Sequence, residues 1–168
     1  MEKVLVTGAT GYIALHCVQQ LLDQGYAVNG SIRSPERKNE VIEALKNSGT
    51  STENLNLFVF DLTNDEGWDD GMEGCDYLLH VASPLALENH TEDYFVKPAV
   101  AGAKRALKFA KKHGVKKVVL TSSVAAIFET GEEKVFYDES DWSDPDNPNI
   151  SNYAKSKLEG EKKIYNSF

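Results

Sequence analysis

Hydrophobic positions along the chain alternate between short continuous runs and longer segments with helical spacing. The continuous runs have the length of buried strands, and apolar residues recur three and four positions apart in several of the segments between them. This alternation is typical of βαβ units, whose parallel strands are covered on both faces. The predicted strands are residues 4–6, 27–32, 55–60, 77–81 and 117–120. The pattern therefore predicts an α/β fold with a doubly wound parallel sheet.

Helical spacing is clearest after the first strand, at Ile13, Cys17, Val18, Leu21 and Leu22. Gly25 follows at the position of a C-cap. Further helices are predicted over residues 36–46, 91–113 and 152–165. Pro98 lies inside the second of these and cannot donate an i to i−4 hydrogen bond, so that helix is expected to kink or to start late. Residues 129–149 carry eight Asp or Glu and no long apolar run, which predicts an acidic surface excursion.

Composition narrows the class of protein. A chain of 168 residues that is 41% hydrophobic can form one compact domain, residues 1–168. The formal net charge of −8 argues against a nucleic-acid or anionic-membrane partner, which would require clustered Lys and Arg. No secretory segment and no membrane-length apolar run is present, which predicts a cytoplasmic protein that acts on a small molecule. Cys17 and Cys75 are predicted to be reduced, packed thiols, and the four histidines are too scattered to predict a metal site.

A glycine-containing turn follows the first predicted strand and opens the first helix. Gly8 permits a tight bend, Gly11 lets the backbone approach a pyrophosphate, and Ala14 allows close packing of helix on sheet. A turn that is merely structural is the alternative, but the strand before it and the helix after it favour dinucleotide binding in a Rossmann-type fold. The predicted cofactor-binding residues of this turn are Thr7, Gly8, Thr10, Gly11, Tyr12 and Ile13.

The end of the second strand distinguishes NAD from NADP, because an acidic residue there binds the ribose 2′-hydroxyl and repels a 2′-phosphate. Arg33 follows this strand instead, with Lys38 close behind, which favours NADP(H) over a plain solvated basic patch. Asp61 follows the third strand, where it would accept a hydrogen bond from an adenine amine or form an ordinary Asx turn.

Tyr153 and Lys157 lie four residues apart in the last predicted helix and hence on one face of it. A free phenol, with a pKa near ~10, is a poor proton donor at neutral pH, and a neighbouring ammonium group stabilises its phenolate. Ser123 is expected to end a buried strand at the carboxyl edge of the sheet, where its hydroxyl would polarise a carbonyl. A chance helical pair and simple strand-end capping are the alternatives. Together the three residues predict hydride transfer to a carbonyl, with Tyr153 as the proton donor. Lys157 is also expected to hold the ribose of the nicotinamide, so Tyr153 and Lys157 are predicted cofactor-binding residues as well. His80 is predicted to be packed rather than catalytic.

These residues resemble the extended short-chain dehydrogenase/reductases, and within them the dihydroflavonol reductase, cinnamoyl-CoA reductase and methylglyoxal reductase group. Besides the glycine turn and the Tyr-Lys pair, the similar segments are Asp61-Leu62-Thr63, His80-Val81-Ala82-Ser83-Pro84, Val96-Lys97-Pro98, Thr121-Ser122-Ser123 and Tyr137-Asp138-Glu139-Ser140-Asp141-Trp142-Ser143. The resemblance implies Ser123, Tyr153 and Lys157 as the catalytic set and Arg33 for the 2′-phosphate. It also implies Asp61 and Leu62 beside the adenine, and Val81, Ala82 and Ser83 near the cofactor.

Members of this group are considerably longer than 168 residues. The resemblance therefore implies that the C-terminal strands and the substrate region are absent here, and that the last helix loses apolar neighbours, which favours self-association. The predicted function is NADPH-dependent reduction of an aldehyde or ketone. The alternatives are a non-catalytic dinucleotide-binding module and an NAD-dependent sugar-nucleotide epimerase or dehydratase, against which Arg33 argues.

Overall fold

The computed structural model of the chain describes residues 1–85, 90–131 and 134–165. It contains a parallel five-stranded sheet with the order β3-β2-β1-β4-β5. Its strands are β1 (Lys3–Val6), β2 (Ala27–Ile32), β3 (Leu55–Val59), β4 (Tyr77–His80) and β5 (Lys117–Leu120). The predicted doubly wound parallel sheet is confirmed. The boundaries of β1, β3 and β4 each differ by one residue from the prediction.

Four helices connect successive strands, and two further helices follow β5 in the described residues. They are α1 (Tyr12–Asp23), α2 (Lys38–Asn47), α3 (Trp68–Met72), α4 (Glu92–Lys112), α5 (Ala125–Phe128) and α6 (Asn152–Tyr165), and a 3₁₀ turn (Pro35–Arg37) precedes α2. The expectation that this helix starts late, at Pro98, is wrong, because α4 begins six residues earlier and continues through the proline. None of the helices in the described ranges is long and apolar enough to cross a membrane.

The order of the strands creates a switch point beside β1. Val6 pairs with Gly30 of β2 on one side and with Leu79 of β4 on the other. The chain therefore adds β2 and β3 on one side of β1, and β4 and β5 on the opposite side. Ligands of open α/β sheets bind at such a point, outside the carboxyl ends of the strands. The turn after Val6 lies at this position.

Successive residues of β1 pack into two different hydrophobic cores. Val4 and Val6 belong to a cluster with Val18 and Val28, whereas Leu5 belongs to a second cluster with Trp68 and further residues of α3 and α4. Because side chains of a strand alternate between the two faces of its sheet, the sheet is buried on both sides. The prediction of covered faces is therefore confirmed for the central strands.

β5 departs from that pattern. It lies at the edge of the sheet among the described residues, and Val119 is 44% exposed. β5 has its predicted bounds, residues 117–120, but the expectation that Ser123 ends a buried strand is wrong, because β5 is only half-buried and ends at Leu120.

The chain divides into two compact units. Unit 1 comprises Met1–Ala82 and Arg105–Thr121, and unit 2 comprises Ser83–Lys104 and the chain from Ser122 onward. The sheet and the glycine turn belong to unit 1, and α5 and α6 belong to unit 2. The prediction of one domain over residues 1–168 stays a prediction.

Candidate active site

The glycine turn links β1 to α1, and its two glycines have different structural roles. Gly8 has φ +73°, in the left-handed region, and a Cβ there would lie 3.0 Å from the Cβ of Ala82. Gly11 has an ordinary φ of −79° and caps α1, and its N–H donates to the Gly8 carbonyl at 2.8 Å. Gly8 is therefore required by conformation and by contact, whereas Gly11 closes the turn.

The N-terminus of α1 is open to an anion. Gly11 gives the helix no side-chain cap, and the first turn contains no acidic residue. Tyr12 and Ile13 are exposed at this end, while Ala14 is buried against the sheet. Uncapped N–H groups and the positive end of the helix dipole both favour a phosphate. The residues present fit the pyrophosphate of a dinucleotide.

Strand β2 supports the turn through Gly30 and Ser31. The hydroxyl of Ser31 accepts a hydrogen bond from the Gly8 N–H at 2.8 Å, and its carbonyl accepts one from the Ala9 N–H at 2.8 Å. A Cβ on Gly30 would lie 2.8 Å from the end of the Leu57 side chain and 3.0 Å from the Cβ of Ala9, so a larger residue beneath the turn would require both neighbours to shift. Sequence reasoning missed this support. The available signal was two small residues at the end of the strand next to β1.

A buried threonine ties the turn to the segment after β4. The Thr7 hydroxyl accepts from the Ala82 N–H at 3.0 Å and lies 3.0 Å from Nδ1 of His80. The Thr7 N–H donates to the Leu79 carbonyl, also at 3.0 Å. His80 is only 2% exposed, as predicted for a packed histidine. The structure thus brings Thr7, Gly8 and Ala82 together, with Val81 half-buried between His80 and Ala82.

Arg33 is exposed just past the end of β2, and no acidic residue occupies that position. Its charge contributes to lowering the pKa of Asp61. Lys38, also exposed, is the first residue of α2. Arg37, the neighbouring cation, donates to Glu40 at 2.8 Å in an exposed pair of the kind that contributes little to stability. Arg33 is thus the better placed guanidinium for a phosphate beyond β2.

The segment after β3 is held by its own turn. The Asp61 carboxylate accepts from the Thr63 N–H at 2.8 Å and from the Thr63 hydroxyl at 2.6 Å, so the Asx-turn interpretation is correct. Burial favours a higher pKa for Asp61, but the hydrogen bonds from Thr63 and the charges of Arg33 and Arg105 outweigh it and lower the pKa. The Leu62 carbonyl accepts from Arg105 at 2.8 Å. A role of Asp61 and Leu62 beside an adenine stays a prediction.

In unit 2, α6 presents Tyr153 and Lys157 on one face, one turn apart. The Lys157 ammonium lies 5.7 Å from the centroid of the Tyr153 ring, and Lys157 is only 8% exposed. Burial lowers the pKa of Lys157, and the negative charge of Glu161 opposes that shift. Phe95 of α4 meets the Tyr153 ring edge-on at 6.4 Å. A buried cation beside a phenol is the arrangement that the spacing predicted.

The two serines before α5 have different partners. The Ser122 hydroxyl donates to the carboxylate of Glu161. The Ser123 hydroxyl accepts from the Ala125 N–H at 3.2 Å, which leaves its proton for another acceptor. Ser123 thus keeps a proton that it can donate, while its oxygen binds the first N–H of α5. Ser83 lies in unit 2 and is half-buried.

Comparison with known proteins identifies the family. Residues 4–167 match the NAD dependent epimerase/dehydratase family. The chain belongs to this family. It is 38% identical over 170 residues to vestitone reductase of Medicago sativa, covering 96% of this chain and 52% of that protein. It is also 37% identical to dihydroflavonol 4-reductase of Solanum lycopersicum, covering 85% of this chain and 38% of that protein.

Solved structures agree with these relatives. The yeast methylglyoxal/isovaleraldehyde reductase Gre2, complexed with NADPH, superposes with a TM-score of 0.84 at 30% identity, covering 98% of this chain and 52% of that one. Vestitone reductase from alfalfa gives a TM-score of 0.80 at 34% identity. The resemblance drawn from the motifs is confirmed. The chain spans about half the length of vestitone reductase and less than half that of dihydroflavonol 4-reductase.

Proposed function

We propose that this family member is an NADP(H)-dependent oxidoreductase that reduces an aldehyde or ketone to an alcohol. The observation that carries the proposal is the Tyr153–Lys157 pair, whose buried ammonium lies 5.7 Å from the phenol ring on one face of α6. The reductase names of the relatives support the same class of reaction.

The chain supplies groups suited to each part of the cofactor. The open end of α1 would bind the pyrophosphate, and Gly8 would let the backbone approach it. Arg33 would bind the 2′-phosphate through its guanidinium, and Lys38 would add a second positive charge. The complex of Gre2 with NADPH supports NADP(H) rather than NAD(H).

NADPH, when bound, supplies the hydride for the carbonyl carbon. The Ser123 hydroxyl donates a hydrogen bond to the carbonyl oxygen as negative charge builds up on it. Tyr153 then transfers its phenolic proton to that oxygen. Lys157 favours this transfer because its ammonium stabilises the phenolate left behind.

An assay of NADPH oxidation tests the proposal. The carbonyl panel consists of aldehydes and ketones that the names of relatives supply: vestitone, a dihydroflavonol, methylglyoxal and isovaleraldehyde. We expect at least one of them to be consumed with formation of its reduced product. Binding of NADPH without turnover on any of them would favour a non-catalytic dinucleotide-binding module instead.

Arg33→Gln is expected to weaken NADPH binding roughly tenfold or more while changing NADH binding little, because one charge-assisted interaction with the 2′-phosphate is lost. Arg37→Gln is the matched control. It also removes one positive charge, four residues after Arg33, but the guanidinium of Arg37 is already bound to Glu40. Dissociation constants from nicotinamide fluorescence measure both effects. Equal losses for NADPH and NADH would remove the case for 2′-phosphate recognition and reopen the NAD-dependent epimerase alternative.

A further inference from the structure

Three polar side chains follow one another along α6 at a spacing of four residues: Tyr153, Lys157 and Glu161. Residues four apart lie on the same face of a helix. The first two form the proposed proton-donating pair, and the third has no role in the proposed reaction. Glu161 is nevertheless half-buried, and its carboxylate accepts the hydrogen bond from the Ser122 hydroxyl.

We infer that Glu161 is a positioning residue of the proposed reaction: its carboxylate holds the Ser122–Ser123 segment through Ser122 and places a negative charge one helical turn beyond Lys157. This inference rests on the proposed function, because the two groups it acts on are the proposed oxyanion donor and the proposed partner of Tyr153. Glu161 itself touches neither substrate nor cofactor in this scheme.

The hydrogen bond to Ser122 separates the roles of the two serines. Because the Ser122 hydroxyl donates to Glu161, its only proton is committed to that carboxylate. Ser123, the next residue, accepts from the Ala125 N–H, and this hydrogen bond does not use the proton of its own hydroxyl. Glu161 thus anchors one serine so that its neighbour is held at a defined place.

The charge of Glu161 also acts on Lys157. Burial lowers the pKa of this lysine, and the Glu161 carboxylate is the group that raises it again. Of the other elements packed on α6, α5 carries no titratable side chain. Glu92 of α4 faces Lys155, which donates to it at 2.9 Å, and Glu159 of α6 also acts on Lys155. Glu161 therefore keeps Lys157 protonated to a higher pH than burial alone would allow.

Competitive chemical labelling of Lys157 at a series of pH values, read by mass spectrometry, measures its pKa without requiring activity. Glu161→Gln keeps an oxygen acceptor for Ser122 but removes the charge, so we expect the labelling curve of Lys157 to shift to lower pH. Glu161→Asp restores the charge and should move the curve back towards the wild type. Glu159→Gln is the matched control, because it removes one negative charge from the same helix on the side of Lys155.

Carbonyl reduction by the same variants supplies the second measurement. In Glu161→Gln the alkaline limb of the kcat profile should move to lower pH in step with the labelling curve, and in Glu159→Gln it should stay in place. An unchanged Lys157 curve in Glu161→Gln, or an equal shift in Glu159→Gln, would overturn the inference. A shifted labelling curve in a protein that reduces no carbonyl would instead support the coupling and contradict the proposed function.

Discussion

Replacing Tyr153 with Phe is expected to lower kcat for carbonyl reduction by roughly 10²- to 10⁴-fold, which is the usual contribution of a general acid. The variant keeps the ring and therefore the contacts with Lys157 at 5.7 Å and with Phe95 at 6.4 Å. Only the phenolic hydroxyl is lost, and with it the transferable proton. Affinity for NADPH and the far-ultraviolet circular dichroism spectrum should stay close to those of the wild type, which would assign the loss to chemistry rather than folding.

Tyr94→Phe provides the matched control for this prediction. Tyr94 belongs to the same unit, is 44% exposed, and stacks on His90 through its ring at 4.2 Å. Losing its hydroxyl should leave kcat within about twofold of the wild type, because it has no part in the proposed proton transfer. If Tyr153→Phe kept most of the activity, another group would have to supply the proton.

Gly8→Ala is expected to destabilise the fold by about 2–5 kcal/mol and to abolish measurable NADPH binding. Two separate costs add at this position. The backbone has φ +73°, which an L-residue adopts at a cost of about 1–2 kcal/mol. The new Cβ would also lie 3.0 Å from the Cβ of Ala82 and 3.2 Å from its Cα, and backbone atoms cannot move away as the end of a flexible side chain can.

Gly25→Ala separates these two costs. Gly25 has a similar φ of +85°, but a Cβ there would meet nothing within 4 Å. This variant should lose only about 1–2 kcal/mol and should bind NADPH like the wild type. Urea denaturation followed by circular dichroism measures the stabilities, and nicotinamide fluorescence measures binding. Equal destabilisation of the two variants would show that the contact between Gly8 and Ala82 does not constrain the turn.

Elements with a long, regular pattern were predictable from the sequence. The helix predicted over residues 152–165 is found as α6 (Asn152–Tyr165), because the apolar residues of a long helix repeat several times. The two short helices α3 and α5 were missed. They contain five and four residues, which is too few for a helical period to be recognised.

The parts of the candidate site that depend on tertiary pairing could not be predicted. Ser31 supports Gly8, 23 residues earlier in the chain, and Ser122 donates to Glu161, 39 residues later. The two small residues near the end of β2 are a local signal for the first contact but do not indicate Gly8 as the partner, and the second contact leaves no local signal. The Tyr153–Lys157 pair was predictable because both residues lie on one helix, where spacing alone determines which side chains share a face.

Binding of NADPH at the glycine turn is the claim on which the proposed reaction depends. Titration of the 168-residue chain with NADPH and, in parallel, with NADH tests it most directly, with enhancement and blue shift of nicotinamide fluorescence as the signal. The account predicts saturable binding of NADPH that is at least about tenfold tighter than that of NADH, the difference expected from one charge-assisted contact with the 2′-phosphate. Binding of neither nucleotide, or tighter binding of NADH, would contradict it.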